Sequence, residues 1–304
     1  MSVDGHGSGA TSNLNGVLES GETVVVAPAW DNTTTVTLTF SGTASNLIGP
    51  AGPSYSIADN SANYGTVSPG ATTDCYNATP AHDCYLMTVS GARPVPHWDA
   101  TFDESLSLSH LKNWTLHVGQ SFTDVPTSQQ FYAFIENIFH NGITGGCGAG
   151  IYCPTSSVTR AQMSVFLLKA KHGANYVPPT CTGIFADVAC PSQFADWIEE
   201  LAAEGITGGC GGGNYCPANP VTRAQMSAFL LKAKYGSGYV PPNCTGVFSD
   251  VACPSLFANW IEELYAEGIT GGCGVGIYCP DNPNTRGQMA VFLVKTFGLL
   301  LYGP

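Results

Sequence analysis

The chain has 304 residues and a formal net charge of −12, and 11% of its residues are charged against about 25% in ordinary soluble domains. An acidic chain without a Lys/Arg stripe repels phosphate backbones, which excludes nucleic acid as a partner. No apolar run approaches the roughly 20 residues that span a bilayer, which excludes membrane insertion as a helix.

Residues 1–21 are rich in Gly, Ser and Asn and are expected to form a flexible or extended arm. The opening Met1-Ser2-Val3-Asp4-Gly5-His6 lacks the basic and apolar regions of a signal peptide. The cysteines described below require an oxidising compartment. The expectation is therefore a secreted, cell-surface protein whose signal has been removed, or a segment of a longer one. From Glu22 the texture changes. Alternating Thr and apolar residues predict strands at 23–26, 33–40, 85–89, 97–102 and 114–118. Turn signals fall at Gly49-Pro50-Ala51-Gly52-Pro53 and Ser68-Pro69-Gly70. This spacing predicts an antiparallel β-sandwich over 22–118. Leu18-Glu19-Ser20-Gly21-Glu22 and Tyr64-Gly65-Thr66-Val67-Ser68-Pro69-Gly70 resemble the immunoglobulin-like modules of bacterial surface proteins. Asn32, Asn77, Asn113 and Asn243 each open an N-glycosylation sequon.

The remainder is a repeat with a period of 63. GITGGCGAGIYCP at 142–154 recurs at 205–217 and 268–280, and VTRAQM at 158–163 recurs at 221–226 and, as NTRGQM, at 284–289. Three units follow, 119–183, 184–246 and 247–304. In the second, Phe194, Trp197, Ile198 and Leu201 lie on one helical face, and Gly205 stops that helix. A second helix opens at Thr222 with Gln225 as a capping box, and Met226, Phe229, Leu230 and Ala233 form its buried stripe. One helix pair cannot bury both faces, so the six helices are expected to pack as one bundle.

The twelve cysteines pair by spacing. Cys147/Cys153, Cys210/Cys216 and Cys273/Cys279 occur once per repeat, and Cys181/Cys190 and Cys244/Cys253 lie at the repeat junctions. Val118 and Thr127 replace both members of the junction pair in the first repeat, as expected of bonded partners. Cys75/Cys84 remains for the N-terminal region. Zinc is the competing reading, but no histidine recurs with the repeat.

Phe-x-Asp-Val at 122–125, 185–188 and 248–251, with Gly-Ile-Thr-x-Gly and the Thr-Arg helix start, resembles the S-layer homology family over about residues 119–304. The resemblance implies a pseudo-threefold helical bundle that anchors secreted proteins to acidic cell-wall polysaccharide through grooves between repeats. It places the motif arginine at Arg160, Arg223 and Arg286. Gln162, Gln225 and Gln288 stand where the family has glutamate, and Gly287 replaces alanine in the third copy. The arginines could instead pair with Glu199 or Glu262 beside a capped helix start. Trp197 and Trp260 fit either a core or a sugar-stacking platform.

The expected fold class is therefore multidomain β + α, an immunoglobulin-like sandwich followed by three such repeats. Nucleophile-elbow, phosphate-loop and HExxH motifs are absent. His97-Trp98-Asp99 is the nearest approach to a constellation, and Glu199-Glu200 and Glu262-Glu263 are expected to be solvated faces. No enzyme activity, cofactor or metal is expected. The function expected is a structural protein that self-assembles into a surface layer or filament, anchors to the envelope, or does both; a pure anchor module of a larger protein is the alternative. Leu299-Leu300-Leu301-Tyr302 either forms a contact between copies or closes the bundle on its first repeat.

Overall fold

The computed structural model describes residues 1–303. It divides into two compact units, Met1–Gln129 with residues 301–303, and Gln130–Leu300.

The first unit contains β1 (Ser2–Val3), β2 (Thr23–Ala27), β3 (Ala29–Asp31), β4 (Leu38–Ile48), β5 (Ser54–Asp59), β6 (Ser61–Val67), β7 (Thr72–Asp74), α1 (Cys75–Ala78), β8 (Tyr85–Ser90), β9 (Asp99–Leu106) and β10 (His110–His117). Two four-stranded antiparallel sheets run in the orders β1-β2-β8-β5 and β10-β9-β4-β6, and β3 pairs with β7. Alternate residues of β8 and β9 are buried, the period-2 pattern of half-buried strands. Both sheets contribute to one core, with Val24, Val26, Tyr85 and Met87 from one and Phe40, Tyr64, Phe102 and Trp114 from the other.

The strand expected at 33–40 begins only at Leu38. The buried Asn32 side chain closes a turn there: its amide donates to Val36 O and Val67 O, and its oxygen accepts from Thr34 N. A side chain used in this way cannot carry a glycan without unfolding the turn, so Asn32 is not an acceptor in the folded protein. Residues 1–21 are not a flexible arm. Ser2 and Val3 pair with Ala27 and Val26, and Val3, Val17 and Leu18 are buried. The Gly/Asn-rich stretch also bonds to the sheet, with Asp4 N donating to Val25 O and Thr11 N to Thr23 O.

The core also holds a carboxyl group. Glu104 is fully buried and accepts from Tyr64 Oη, Tyr85 Oη at 2.7 Å, Trp114 Nε1 at 2.7 Å and Trp30 Nε1 at 3.2 Å. Four donors replace the water that the carboxylate gave up. A Cβ at Gly42 would collide with Tyr85 Oη and Glu104 Oε1, so only glycine fits under this cluster.

The second unit contains α2 (Tyr132–His140), α3 (Arg160–His172), α4 (Ala195–Ala203), α5 (Arg223–Tyr235), α6 (Ala258–Ala266) and α7 (Arg286–Phe297). Helices α3, α5 and α7 touch one another, while α4 packs on α3, α6 on α5 and α2 on α7. Each short helix therefore covers the long helix of the preceding repeat, and the third repeat's long helix is covered by the first. Met163, Phe166, Leu167 and Ala170 supply the buried stripe of α3, with the same positions buried in α5. Thr159/Gln162, Thr222/Gln225 and Thr285/Gln288 all form capping boxes. The glutamines thus perform the capping for which a glutamate is not required.

Cysteines join as Cys75–Cys84, Cys147–Cys153, Cys181–Cys190, Cys210–Cys216, Cys244–Cys253 and Cys273–Cys279. At the C-terminus, the carbonyls of Leu299 and Leu300 accept from Asn137 and Asn141 of the first repeat. Tyr302 belongs to the first unit, where its hydroxyl accepts from Leu18 N and donates to His117 O.

Candidate functional site

Arg160, Arg223 and Arg286 open α3, α5 and α7 and are 4–5% exposed. Their guanidinium groups donate to main-chain carbonyls of a neighbouring repeat. Arg160 Nε donates to Tyr215 O at 2.7 Å, Arg223 Nε to Tyr278 O at 2.8 Å, and Arg286 Nε to Tyr152 O at 2.7 Å. Each guanidinium lies 4.7 Å from the centroid of that same tyrosine ring. The tyrosine hydroxyls donate back to the carbonyls of Arg160, Arg223 and Arg286. Longer contacts at 3.4 Å reach the hydroxyls of Thr207, Thr270 and Thr144. Every arginine therefore fastens its own repeat to the next, and the third fastens back to the first. Burial pushes the Arg160 and Arg223 guanidinium groups below their ordinary pKa, opposed by the nearby Asp187 and Asp250.

Glu199 and Glu262, the sequence candidates for pairing with arginine, do other work. Glu199 accepts from the backbone N–H groups of Thr182, Gly183 and Ile184, and Glu262 from those of Thr245, Gly246 and Val247. Glu200 and Glu263 accept from the hydroxyls of Tyr176 and Tyr239. Neither pair is a solvated face. Burial raises the Glu199 and Glu262 pKa, but the N–H donors outweigh it and hold both below the usual range. Trp197 and Trp260 are half-buried and meet Tyr176 and Tyr239 edge-on. In the first unit, His97 and His117 flank Asp99 at 3.3 and 2.7 Å. His117 and Asp99 are cross-strand partners, so this grouping follows from strand register.

The arginines form the floor of grooves between repeats. One groove, of about 360 Å³, is lined by Arg223, Thr270, Gly271, Phe131, Gln288 and Lys295. A second, of about 350 Å³, is lined by Arg286, Thr144, Gly145, Phe194, Gln162 and Lys169. At the corresponding positions around Arg160 the sequence has Thr207, Gly208, Phe257, Gln225 and Lys232. Lysine and glutamine N–H donors surround a buried cation and glycine backbone, a setting that attracts anions. Gly287 faces Phe131, whose ring occupies the space that a Cβ would need. Sequence reasoning missed Tyr152, Tyr215 and Tyr278. Their recurrence in the Tyr-Cys-Pro segment was the available signal, but the 55-residue separation from Arg160 to Tyr215 hid the contact.

The S-layer homology domain model matches residues 121–164 and 189–227, in the first and second copies of the repeat. Those two segments are similar to the S-layer homology domain. An endoglucanase from a Bacillus species is 26% identical over 176 residues, which is 56% of this chain and 18% of that protein. S-layer protein EA1 of Bacillus anthracis is 28% identical over 182 residues, 59% of this chain and 20% of that protein. An amylopullulanase of Thermoanaerobacterium thermosulfurigenes is 29% identical over 140 residues, 46% of this chain and 7% of that protein. The chain spans a fifth or less of these curated relatives.

Proposed function

We propose that the repeats form a pseudo-threefold anchor for an acidic cell-wall polysaccharide, on a secreted protein whose immunoglobulin-like sandwich is cargo or spacer. The observation that carries this reading is the recurring groove, with arginine in its floor and lysine and glutamine on its walls. The S-layer homology matches support it. Relatives named as an endoglucanase, an amylopullulanase and an S-layer protein share sequence with this chain despite their different names, as expected of a non-catalytic module. The test is binding of the full chain to purified wall polysaccharide before and after its carboxyl groups are neutralised by amidation. Binding to the native polymer and loss on amidation is the expected result; equal binding to both forms, or none, contradicts the reading.

A second reading, a self-assembling surface subunit, is favoured by the relative named as an S-layer protein. In the apolar C-terminal run Tyr302 is buried, while Leu300 stays exposed and available for a contact between copies. Electron microscopy of the purified chain decides it: ordered layers or filaments support assembly, and dispersed monomers at high concentration remove it.

A further inference from the structure

The N-terminal segment links three carboxylates, Asp4, Glu19 and Glu22, through Asn13 and Asn15. Asp4 is 0% exposed and Glu19 2% exposed. Asn15 joins them: its backbone N–H donates to Asp4 Oδ2 at 2.9 Å and its side-chain amide to Glu19 Oε1 at 2.8 Å. Asn13 joins Glu19 to Glu22, its side-chain amide donating to Glu19 Oε2 at 2.9 Å and its backbone N–H to Glu22 Oε1 at 3.3 Å. Among the described residues, no lysine, arginine or histidine forms an ion pair with Asp4, Glu19 or Glu22. Asp4 Oδ1 is buried without a hydrogen bond of ordinary geometry, and the Ser12 hydroxyl beside Asp4 is likewise buried and unsatisfied. An ionised oxygen in that position is costly unless something positive meets it.

The spacing supplies a second, independent indication. Thr11-x-Asn13-x-Asn15-Gly16-x-x-Glu19-x-x-Glu22 places oxygen-bearing side chains at positions 1, 3, 5, 9 and 12 of a twelve-residue calcium loop, with glycine at 6 and glutamate at 12. Gly16 has φ +83°, the left-handed turn that the sixth position requires. The pattern departs at its first position, where Thr11 replaces aspartate, and Asp4 brings a carboxylate from outside the loop.

We propose that Asp4, Asn13, Asn15, Glu19 and Glu22 form a site for a hard divalent cation of the calcium type. Carboxylate and amide oxygens on an irregular loop suit calcium, which accepts six to eight oxygens in flexible geometry, better than magnesium, which demands an octahedron and keeps its water. Electrostatics agrees with the geometry. Burial, then the hydrogen bond and charge of Glu19, push the Glu22 pKa up to about 8, and burial raises that of Asp4. A bound cation reverses the repulsion and fastens residues 1–22 to β2, whose neighbour β1 begins two residues before Asp4.

Calorimetric titration of the EDTA-treated full chain with calcium chloride tests this, with magnesium chloride as comparison and thermal unfolding followed in parallel. The expectation is one calcium equivalent with Kd in the range of extracellular modules, about 10⁻⁴–10⁻³ M or tighter, weaker magnesium binding, and a rise in melting temperature with calcium. Glu22→Gln should weaken binding at least tenfold while leaving the EDTA-treated protein as stable as before or more so, because one repelling charge is gone. Absence of calcium binding at 10 mM overturns the proposal. So does calcium affinity unchanged in Glu22→Gln and Asp4→Asn, or a Glu22→Gln protein that is less stable in EDTA, which would show the acids to be a self-sufficient structural network.

Discussion

Single buried polar residues determine much of this structure. Glu104 ties four strands by satisfying two tyrosine hydroxyls and two indole N–H groups. Glu104→Ala leaves all four without their acceptor, and at roughly 1–3 kcal/mol for each buried unsatisfied group the loss should reach about 3 kcal/mol or more. Urea unfolding followed by tryptophan fluorescence measures it. Arg223 is a second such residue. Arg223→Lys keeps the charge but loses the Nε–H bond to Tyr278 O and the planar stack on its ring, and should cost about 1.5–3 kcal/mol in chemical denaturation. A third case is pH. Glu199 and Glu262 are held below the usual carboxylate range in the folded chain, so the unfolded chain binds their protons first. Their stabilisation is complete above the ordinary glutamate pKa of about 4.3 and disappears as pH falls through the folded values. The melting temperature should therefore fall on acidification below about pH 5, and Glu199→Gln with Glu262→Gln should flatten that slope.

At the scale of elements, what could be read from the sequence depended on how local the determining contact was. The helices of the repeats were legible because their apolar stripes, Thr-x-x-Gln boxes and stop glycines lie within a few residues of one another. Disulfide partners were legible for the same reason, since six to nine residues separate them. Removing one such loop closure, as in Cys210→Ser with Cys216→Ser, should lower stability by about 2–3 kcal/mol in guanidinium unfolding. Strands of the first unit were less legible. The Thr-rich stretch at 33–36 has a strand-like composition, but buried Asn32 captures it in a turn through a carbonyl 35 residues away. Composition also hid the order in residues 1–21, where glycine and asparagine serve turns and side-chain hydrogen bonds. The groove arginines were identified by motif, yet their partners were not, because the tyrosine carbonyl that each one meets lies in a neighbouring repeat.

For the molecule as a whole, the repeats differ from an open solenoid, in which each unit touches its neighbours and a terminal unit can be lost. Arg286 returns to Tyr152, and α7 packs on α2, so the repeats close on themselves. Deleting the third repeat removes Tyr278 and Thr270 from Arg223 and Arg286 from Tyr152. The remaining helices should then lose cooperative unfolding altogether, seen by calorimetry as the disappearance of the transition rather than its shift. This closure also limits how binding can be tested, since replacing the arginines damages the fold and the groove together. Lys169, Lys232 and Lys295 separate the two: they are half-buried or exposed at the ends of their helices, and their loss should leave unfolding nearly unchanged. The most direct measurement is thus the affinity of the full chain for purified wall polysaccharide, compared with Lys169→Ala, Lys232→Ala and Lys295→Ala combined. The account predicts an unchanged melting temperature and a loss of affinity of tenfold or more; full affinity in a normally folded variant would contradict it.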